Sequence, residues 1–245
     1  MFLRRPVAVT VINFLLTLAS KLRAKERLAR TDDWASRSEY MGVGVTDKVL
    51  GLIGIGNIGA EICQLIHPFD VKTIAYDPFV DEKTAEAIGV ELVTLDQLFE
   101  RSDFVSVNCP LNDDTLGLVN AERFAQMKET AYLINTARGP VVDENDLLQA
   151  LENDIIAGAA IDVFETEPPA ADNPLLFVSD EKLIVTPHSI CWTDECFAGI
   201  GASCVESCLA IAKGAPPAIG CVVDKSVLGD AAFTAKLGGG AGAKL

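Results

Sequence analysis

Three side chains that could act on a carbonyl group each follow the end of a predicted strand: Arg138, Glu167 and His188. Histidine titrates near neutral pH, so His188 could donate the proton that a ketone oxygen takes up on reduction. A carboxylate such as Glu167 would stabilise the imidazolium form. Arg138 would supply a permanent positive charge for a carboxylate or a polarised carbonyl oxygen.

A glycine-rich stretch earlier in the chain predicts a nucleotide site. Residues 49–59 read VLGLIGIGNIG, an apolar run that ends in Gly54, Gly56 and Gly59. A strand, a glycine turn and a helix starting at Asn57 would bring backbone N–H groups close to a pyrophosphate. The next apolar run, 71–76, leads into Asp77, which lies eighteen residues beyond the last glycine. A carboxylate there would accept from both ribose hydroxyls and repel a 2′-phosphate, which predicts NAD as the cofactor.

Each of these features also has a structural interpretation. The glycines could form an ordinary strand-to-helix turn followed by a solvated aspartate. Arg138 could cap a carbonyl, Glu167 could be a solvated loop acid and His188 could satisfy a turn. Because the carboxyl ends of parallel strands open on one crevice, their joint occurrence favours the chemical interpretation.

The composition describes an ordinary globular protein of one or two domains. The chain has 245 residues, of which 49% are hydrophobic and 22% charged. Its formal net charge of −15 opposes binding to nucleic acid or to an anionic membrane, so neither is expected as a partner. The predicted partner is a small molecule.

The cysteines and the N-terminus bear on the cellular compartment. Seven cysteines are scattered without C-x-x-C pairs, which is typical of reduced cytosolic thiols. His188, Cys191 and Cys196 lack an evident fourth ligand, so no metal site is predicted. Residues 1–20 have the charged start and apolar middle of a secretory signal, but they continue without a breaker into a basic stretch. These features favour a cytoplasmic protein.

The order of elements predicts an α/β fold. Residues 7 to about 29 have apolar positions at helical spacing and are expected to form one long helix. From residue 49 strands and helices alternate, which is the signature of a doubly wound parallel sheet. A further helix is expected over residues 194–213, and the glycine-rich end of the chain is expected to be disordered.

Six segments carry a resemblance to a known family. In chain order they are GLIGIGNIGAEI, AYDPFV, NCPLNDDTLGLVN, LINTARGPVVDENDLLQAL, AAIDVFETEPP and VTPHSICW. They are similar to the D-isomer-specific 2-hydroxyacid dehydrogenases, which include phosphoglycerate, glycerate and D-lactate dehydrogenases. The resemblance extends from about residue 6 to residue 237.

The resemblance implies an NAD-dependent oxidoreductase that transfers a hydride between nicotinamide and C2 of a 2-keto acid or D-2-hydroxy acid. It implies that Arg138 binds the substrate and that Glu167 and His188 form the acid/base pair. The implied cofactor-binding residues are Gly54, Gly56, Asn57, Ile58, Gly59, Asp77, Cys109, Thr136 and Asp162, the last of which would hold the nicotinamide. Members similar to formate dehydrogenase carry glutamine in place of Glu167, which argues against formate as the substrate.

The resemblance also suggests how the chain is divided. The expected segments are a linking and dimerisation helix with its connector at 1–46, a Rossmann NAD-binding domain at 47–190, a remnant of a substrate-binding lobe at 191–237 and a disordered tail at 238–245. Family members begin with the first half of that lobe, on the order of a hundred residues, for which this sequence has no counterpart. Weak or absent turnover is therefore expected, as is a homodimer formed through the first helix.

Two other functional interpretations remain open at this stage. The chain could be an NAD-sensing scaffold that resembles the family's transcriptional corepressors, with dinucleotide-driven dimerisation and incidental catalysis. It could instead be a fragment that exposes the apolar face of the helix at 7–29 and associates with itself.

Overall fold

The computed structural model of the protein describes residues 3–218 together with residues 222 and 226. Its contacts define two compact units, one of them Val7–Ile190 and the other Met1–Pro6 with Cys191–Leu245. Residues 7–46 lie in the same unit as the sheet. The functions assigned to the four sequence segments stay predictions, and the expected tail at 238–245 lies outside the described residues.

The larger unit is built on a sheet of seven strands, all of them parallel. The strands are β1 (Val49–Ile53), β2 (Lys72–Tyr76), β3 (Glu91–Leu92), β4 (Phe104–Val107), β5 (Tyr132–Asn135), β6 (Gly158–Ile161) and β7 (Leu183–Val185). Their order across the sheet is β3-β2-β1-β4-β5-β6-β7. The predicted α/β fold with a doubly wound parallel sheet is confirmed. Strand β3 was not predicted, because two residues are too few to show a periodic pattern.

Helices also belong to the larger unit, where several of them connect consecutive strands. They are α1 (Arg4–Ser20), α2 (Leu22–Arg30), α3 (Asn57–Ile66), α4 (Glu82–Ala87), α5 (Leu95–Arg101), α6 (Ala121–Gln126) and α7 (Glu144–Glu152). The smaller unit contains α8 (Asp194–Ala212). Four of the short helices begin where a polar side chain accepts a hydrogen bond from the first turn: Asp81 at α4, Thr94 at α5, Asn120 at α6 and Asp143 at α7. These caps satisfy N–H groups that a helix leaves unpaired.

The prediction of one long helix over residues 7–29 is wrong. Helices α1 and α2 meet at Lys21, which has a left-handed backbone (φ 51°), and their axes are bent by 61°. The N–H of Val43 donates to the carbonyl oxygen of Ala19 at 2.7 Å, so the connector takes an acceptor that a continuous helix would have used. Gly42 permits this approach, because a Cβ there would lie 2.8 Å from the same oxygen.

The apolar face of α1 is covered by the chain itself. Val11, Leu15 and Leu18 are buried in one cluster with Leu52 of β1 and Ile62 of α3. A second cluster is formed by other side chains of β1 and of β4 to β7 together with α5, α6 and α7, and it completes the core of this unit. The expectation that this helix exposes its apolar face is therefore wrong.

Helix α8 belongs to the smaller unit and is largely exposed. Within the described part of the chain, it is the single helix whose length and apolar composition would suffice to cross a membrane. Only 6% of its apolar stretch is buried. Its exposed apolar side chains include Phe197, Val205 and Leu209. The absence of a membrane partner thus stays a prediction.

Gly139 allows two loops at the carboxyl edge of the sheet to pack closely against each other. A Cβ on Gly139, in the loop after β5, would overlap the carbonyl group of Phe164 in the loop after β6. Only a residue without a side chain lets the two backbones approach this closely. This packing places Arg138 beside the segment that leads to Glu167.

We expect Gly139→Ala to lower the free energy of unfolding by about 3 kcal/mol or more, because one of the two backbones must move. The matched control is Gly44→Ala, since a Cβ at Gly44 would meet nothing within 4 Å. That variant should change the free energy by less than about 1 kcal/mol. Urea unfolding of both variants measures the difference, and equal stability would show that the overlap is relieved at no cost.

Candidate active site

The first part of the site lies between β1 and β4, where the order in which the chain adds strands to the sheet reverses. Strands β1 and β4 are neighbours, while the chain proceeds from them to opposite sides of the sheet. Such a switch point forms a crevice at the carboxyl ends of the strands. Gly54 turns there with φ +92°, and a Cβ on it would lie 3.2 Å from the backbone of Asn108 and Cys109. The glycine turn is thus packed against the end of β4.

The other two glycines fit the pyrophosphate of a dinucleotide. A Cβ on Gly59 would lie 2.5 Å from the carbonyl oxygen of Gly54, so this glycine lets α3 pack onto the turn. Gly56 is exposed, and a Cβ on it would meet nothing within 4 Å. It is the N-cap of α3 and offers no side-chain hydrogen bond, which leaves the N–H groups near Asn57 and Ile58 facing an open cradle for an anion.

Asp77 stands across from the glycine turn, directly after β2. Its Oδ2 accepts from the N–H of Ile55 at 3.0 Å and its Oδ1 from the N–H of Phe79 at 3.0 Å. A carboxylate oxygen accepts more than one hydrogen bond, so both oxygens retain capacity for ribose hydroxyls. The half-buried position of this carboxylate fits the adenosine half of NAD.

Cys109 and Thr136 face the same edge from β4 and β5. Burial raises the pKa of the Cys109 thiol, and the negative charge of Asp77 raises it further. Thr136 directly follows β5 and is half-buried. The structure therefore brings the predicted cofactor residues of β1, β2 and β4 together, and their contacts with NAD stay predictions.

The second part of the site is a carboxylate–histidine pair. The Nδ1 atom of His188 lies 2.7 Å from Oε2 of Glu167, and the two side chains are 45% and 35% exposed. Oε1 of Glu167 accepts from the N–H of Phe164 at 3.0 Å. Glu167 comes from the loop after β6 and His188 from the loop after β7, so neighbouring strands position the pair.

The electrostatic environment keeps Glu167 ionised. Burial alone would raise the pKa of its carboxyl group. The hydrogen bonds from His188 and Phe164, with the positive charges of His188 and Arg138, hold that pKa below its ordinary value. Arg138 is exposed and its Nη1 donates to the carbonyl oxygen of Ala137 at 2.6 Å. Its charge thus reaches the pair while its guanidinium keeps free donors.

Asp162 is buried and has hydrogen-bond partners that the sequence did not predict. It follows β6 and is 2% exposed. Its Oδ1 accepts from the hydroxyl of Thr186 at 2.6 Å and from the N–H of Ser189 at 3.1 Å. Sequence reasoning missed Thr186 and Ser189, although their positions on either side of Pro187-His188 were a signal. The contact of Asp162 with nicotinamide stays a prediction.

A cavity of about 490 Å³ lies beside the pair. Besides Glu167, His188 and Thr186, its lining consists of apolar residues, namely Phe164, Pro168, Pro169, Leu176, Val185 and Pro187. Sequence reasoning did not show that Leu176 and Val185 would join the two prolines in this lining. In the described part of the chain, no three histidine, cysteine or acidic side chains gather closely enough to hold a metal ion.

Comparison with known proteins is consistent with this geometry. A D-3-phosphoglycerate dehydrogenase of Archaeoglobus fulgidus is 37% identical over 205 residues, which are 84% of this chain and 38% of that enzyme. A glyoxylate reductase of Thermofilum pendens is 37% identical over 229 residues, which are 91% of this chain and 66% of that enzyme. The chain thus spans well under half the length of the phosphoglycerate dehydrogenase.

The solved structures and the family comparison agree. The D-lactate dehydrogenase of Aquifex aeolicus, solved with NAD and lactic acid, is 31% identical with a TM-score of 0.78, and the match covers 86% of this chain and 67% of that one. Residues 12–189 match the family described as D-isomer specific 2-hydroxyacid dehydrogenase, NAD binding domain. The chain therefore belongs to the D-isomer specific 2-hydroxyacid dehydrogenase family and carries its NAD-binding domain.

Proposed function

We propose that the protein acts as an NAD-dependent dehydrogenase on C2 of a small 2-keto acid or D-2-hydroxy acid. The observation that carries this proposal is the 2.7 Å contact between Glu167 and His188. The pair stands at the same carboxyl edge of the sheet as the glycine turn after β1. The dinucleotide, when bound, supplies or accepts the hydride.

The side chains of the chain would handle the proton and the substrate charge. His188 uses Nδ1 toward Glu167, so its Nε2 is the nitrogen left to give a proton to the substrate oxygen. Glu167 stays ionised and stabilises the positive form of the ring. Arg138 would bind the substrate carboxylate, because a guanidinium matches the two oxygens of that group.

The proposed substrate class is supported by the names of the relatives. They include a phosphoglycerate dehydrogenase, a glyoxylate reductase and a D-lactate dehydrogenase. Short hydroxy or keto acids are common to these names. The Glu167 carboxylate favours this class over formate, because oxidation of formate to carbon dioxide releases only a hydride, whereas oxidation of a 2-hydroxy acid also requires a base to take the hydroxyl proton.

A second candidate is an NAD-binding module that works through assembly. It would need only the glycine turn, Asp77 and Cys109, which all lie within the one compact unit Val7–Ile190. That unit could bind the dinucleotide without turnover and use it to form a homodimer. This candidate requires an NADH-dependent change in molecular size, which gel filtration or analytical ultracentrifugation would measure.

The first test is NADH oxidation with hydroxypyruvate, glyoxylate, pyruvate and phosphohydroxypyruvate. We expect His188→Ala to lower kcat roughly 100-fold or more, because the proton donor is lost, with little change in NADH affinity. The chain has two histidines, so His67→Ala is the matched control and should keep wild-type kcat.

Retained turnover in His188→Ala would contradict the proposed acid/base pair. Absence of turnover in the wild type, together with NADH binding and an NADH-dependent change in size, would favour the binding module.

A second test concerns the choice between NADH and NADPH. We expect Asp77→Asn to shift the ratio of the two dissociation constants about tenfold toward NADPH, because the charge that repels a 2′-phosphate is removed. Asp172→Asn, at an exposed loop position, is the matched control and should leave the ratio unchanged. Fluorescence titration of each reduced dinucleotide measures both constants. An unchanged ratio in Asp77→Asn would remove this residue from the adenosine site.

A third test uses the pH dependence of stability. The pKa of Glu167 is lower in the folded protein than in the unfolded chain, so its stabilising contribution is complete above the ordinary glutamate pKa and is lost as pH falls through the lowered value. We expect the gap in unfolding free energy between wild type and Glu167→Gln to narrow below about pH 4. When His188→Ala is present in both proteins, the difference in unfolding free energy caused by Glu167→Gln at pH 5 should be smaller than in the wild-type background. A gap that widens toward low pH would contradict the direction of the shift.

A further inference from the structure

The carboxylate of Asp162 clasps the turn that carries His188. Oδ1 accepts from the hydroxyl of Thr186 at 2.6 Å and from the N–H of Ser189 at 3.1 Å. Oδ2 receives a longer contact of 3.5 Å from the N–H of Ile190. These donors stand two residues before the histidine and one and two residues after it. One buried side chain thus holds the turn on both sides of His188.

The turn needs such a clasp because its backbone is strained. His188 has φ 51°, in the left-handed region that residues with a Cβ rarely adopt. A residue persists there when the surrounding structure holds it firmly. The side chain of His188 is 45% exposed, so packing around the ring supplies only part of that constraint.

The clasp is made by a charge that the protein has buried at a cost. Asp162 is 2% exposed, and none of the ion pairs among the described residues includes it. A buried carboxylate without a cation must be compensated by hydrogen-bond donors, and the turn supplies them. The negative charge and the strained turn therefore stabilise each other.

We propose that Asp162 is a positioning residue, which acts through the backbone of residues 186–190 to hold the His188 ring against Glu167. This role differs from a direct contact with nicotinamide, because it requires the Thr186 hydroxyl. The inference rests on the proposed function only in giving His188 a chemical task. The clasp itself can be tested without turnover.

The test follows the ring nitrogens of His188 by ¹H–¹⁵N spectroscopy of histidine-labelled protein. The chain has two histidines, so His67 serves as an internal reference. Glu167→Gln first records the signals of a ring that has lost its carboxylate partner. We expect Thr186→Val and Asp162→Asn to shift the His188 signals in that same direction and to leave His67 unchanged. Thr73→Val, which removes a hydroxyl that donates to Gly89 at 3.2 Å, is the matched control and should shift neither.

Unchanged His188 signals in folded Thr186→Val would overturn the proposal, whether or not Asp162→Asn folds. Where the wild type turns over, Thr186→Val should lower kcat about tenfold at unchanged NADH affinity, because the proton donor is displaced. Weakened NADH binding with unchanged kcat would also overturn it, since Asp162 would then act on the cofactor. If the wild type binds NADH but has no turnover, the proposed function fails while the spectra still decide the clasp.

Discussion

The sheet ladder continues one residue past the strand ends, and this fixes where the loops of the site begin. The N–H of Gly54 donates to the carbonyl of Tyr76 at 2.9 Å, and that of Asn108 to Ile53 at 2.8 Å. On the other side of the sheet, the N–H of Asp162 donates to Asn135 at 3.0 Å. The N–H of Thr186 makes the same kind of bond with Ile161, also at 3.0 Å. Because each parallel strand pins the next one, residues distant in sequence start their loops at the same level.

Two carboxylates at this edge are stabilised in opposite ways. Asp162 is buried and compensated by neutral donors, whereas Glu167 is partly exposed and faces the charges of His188 and Arg138. In the first arrangement the hydrogen bonds from the turn fix the carboxylate in place. The second suits a charge that responds to the protonation of its partner. In a chain of net charge −15, the local cations at Glu167 determine the behaviour of the pair more than the overall charge does.

The sequence was sufficient for the parts of the fold that depend on local patterns. The strands that end before Gly54 and Asp77 and the start of α3 at Asn57 were predicted because their signals lie within about ten residues. The break between α1 and α2 at Lys21 was not predicted. It depends on a hydrogen bond from the N–H of Val43, which follows the second helix, to the carbonyl oxygen of Ala19. The same reason applies to the site. Glu167 and His188 could be predicted from their residue types and positions. The partners of Asp162 and the apolar wall of the cavity could not, because they depend on tertiary packing.

The burial of α1 changes how a homodimer could be built. The sequence predicted a homodimer interface at this helix because its apolar face has to be buried against something. In the structure, Val11 and Leu15 are each 0% exposed within the chain's own core. The residues that α1 leaves outside include Val9, which is 49% exposed. An interface through α1 would therefore add its outer side to a helix already fixed by the core, and would not replace that packing. Such an interface could form without exposing the sheet, so dimerisation and folding of this unit would be separable steps.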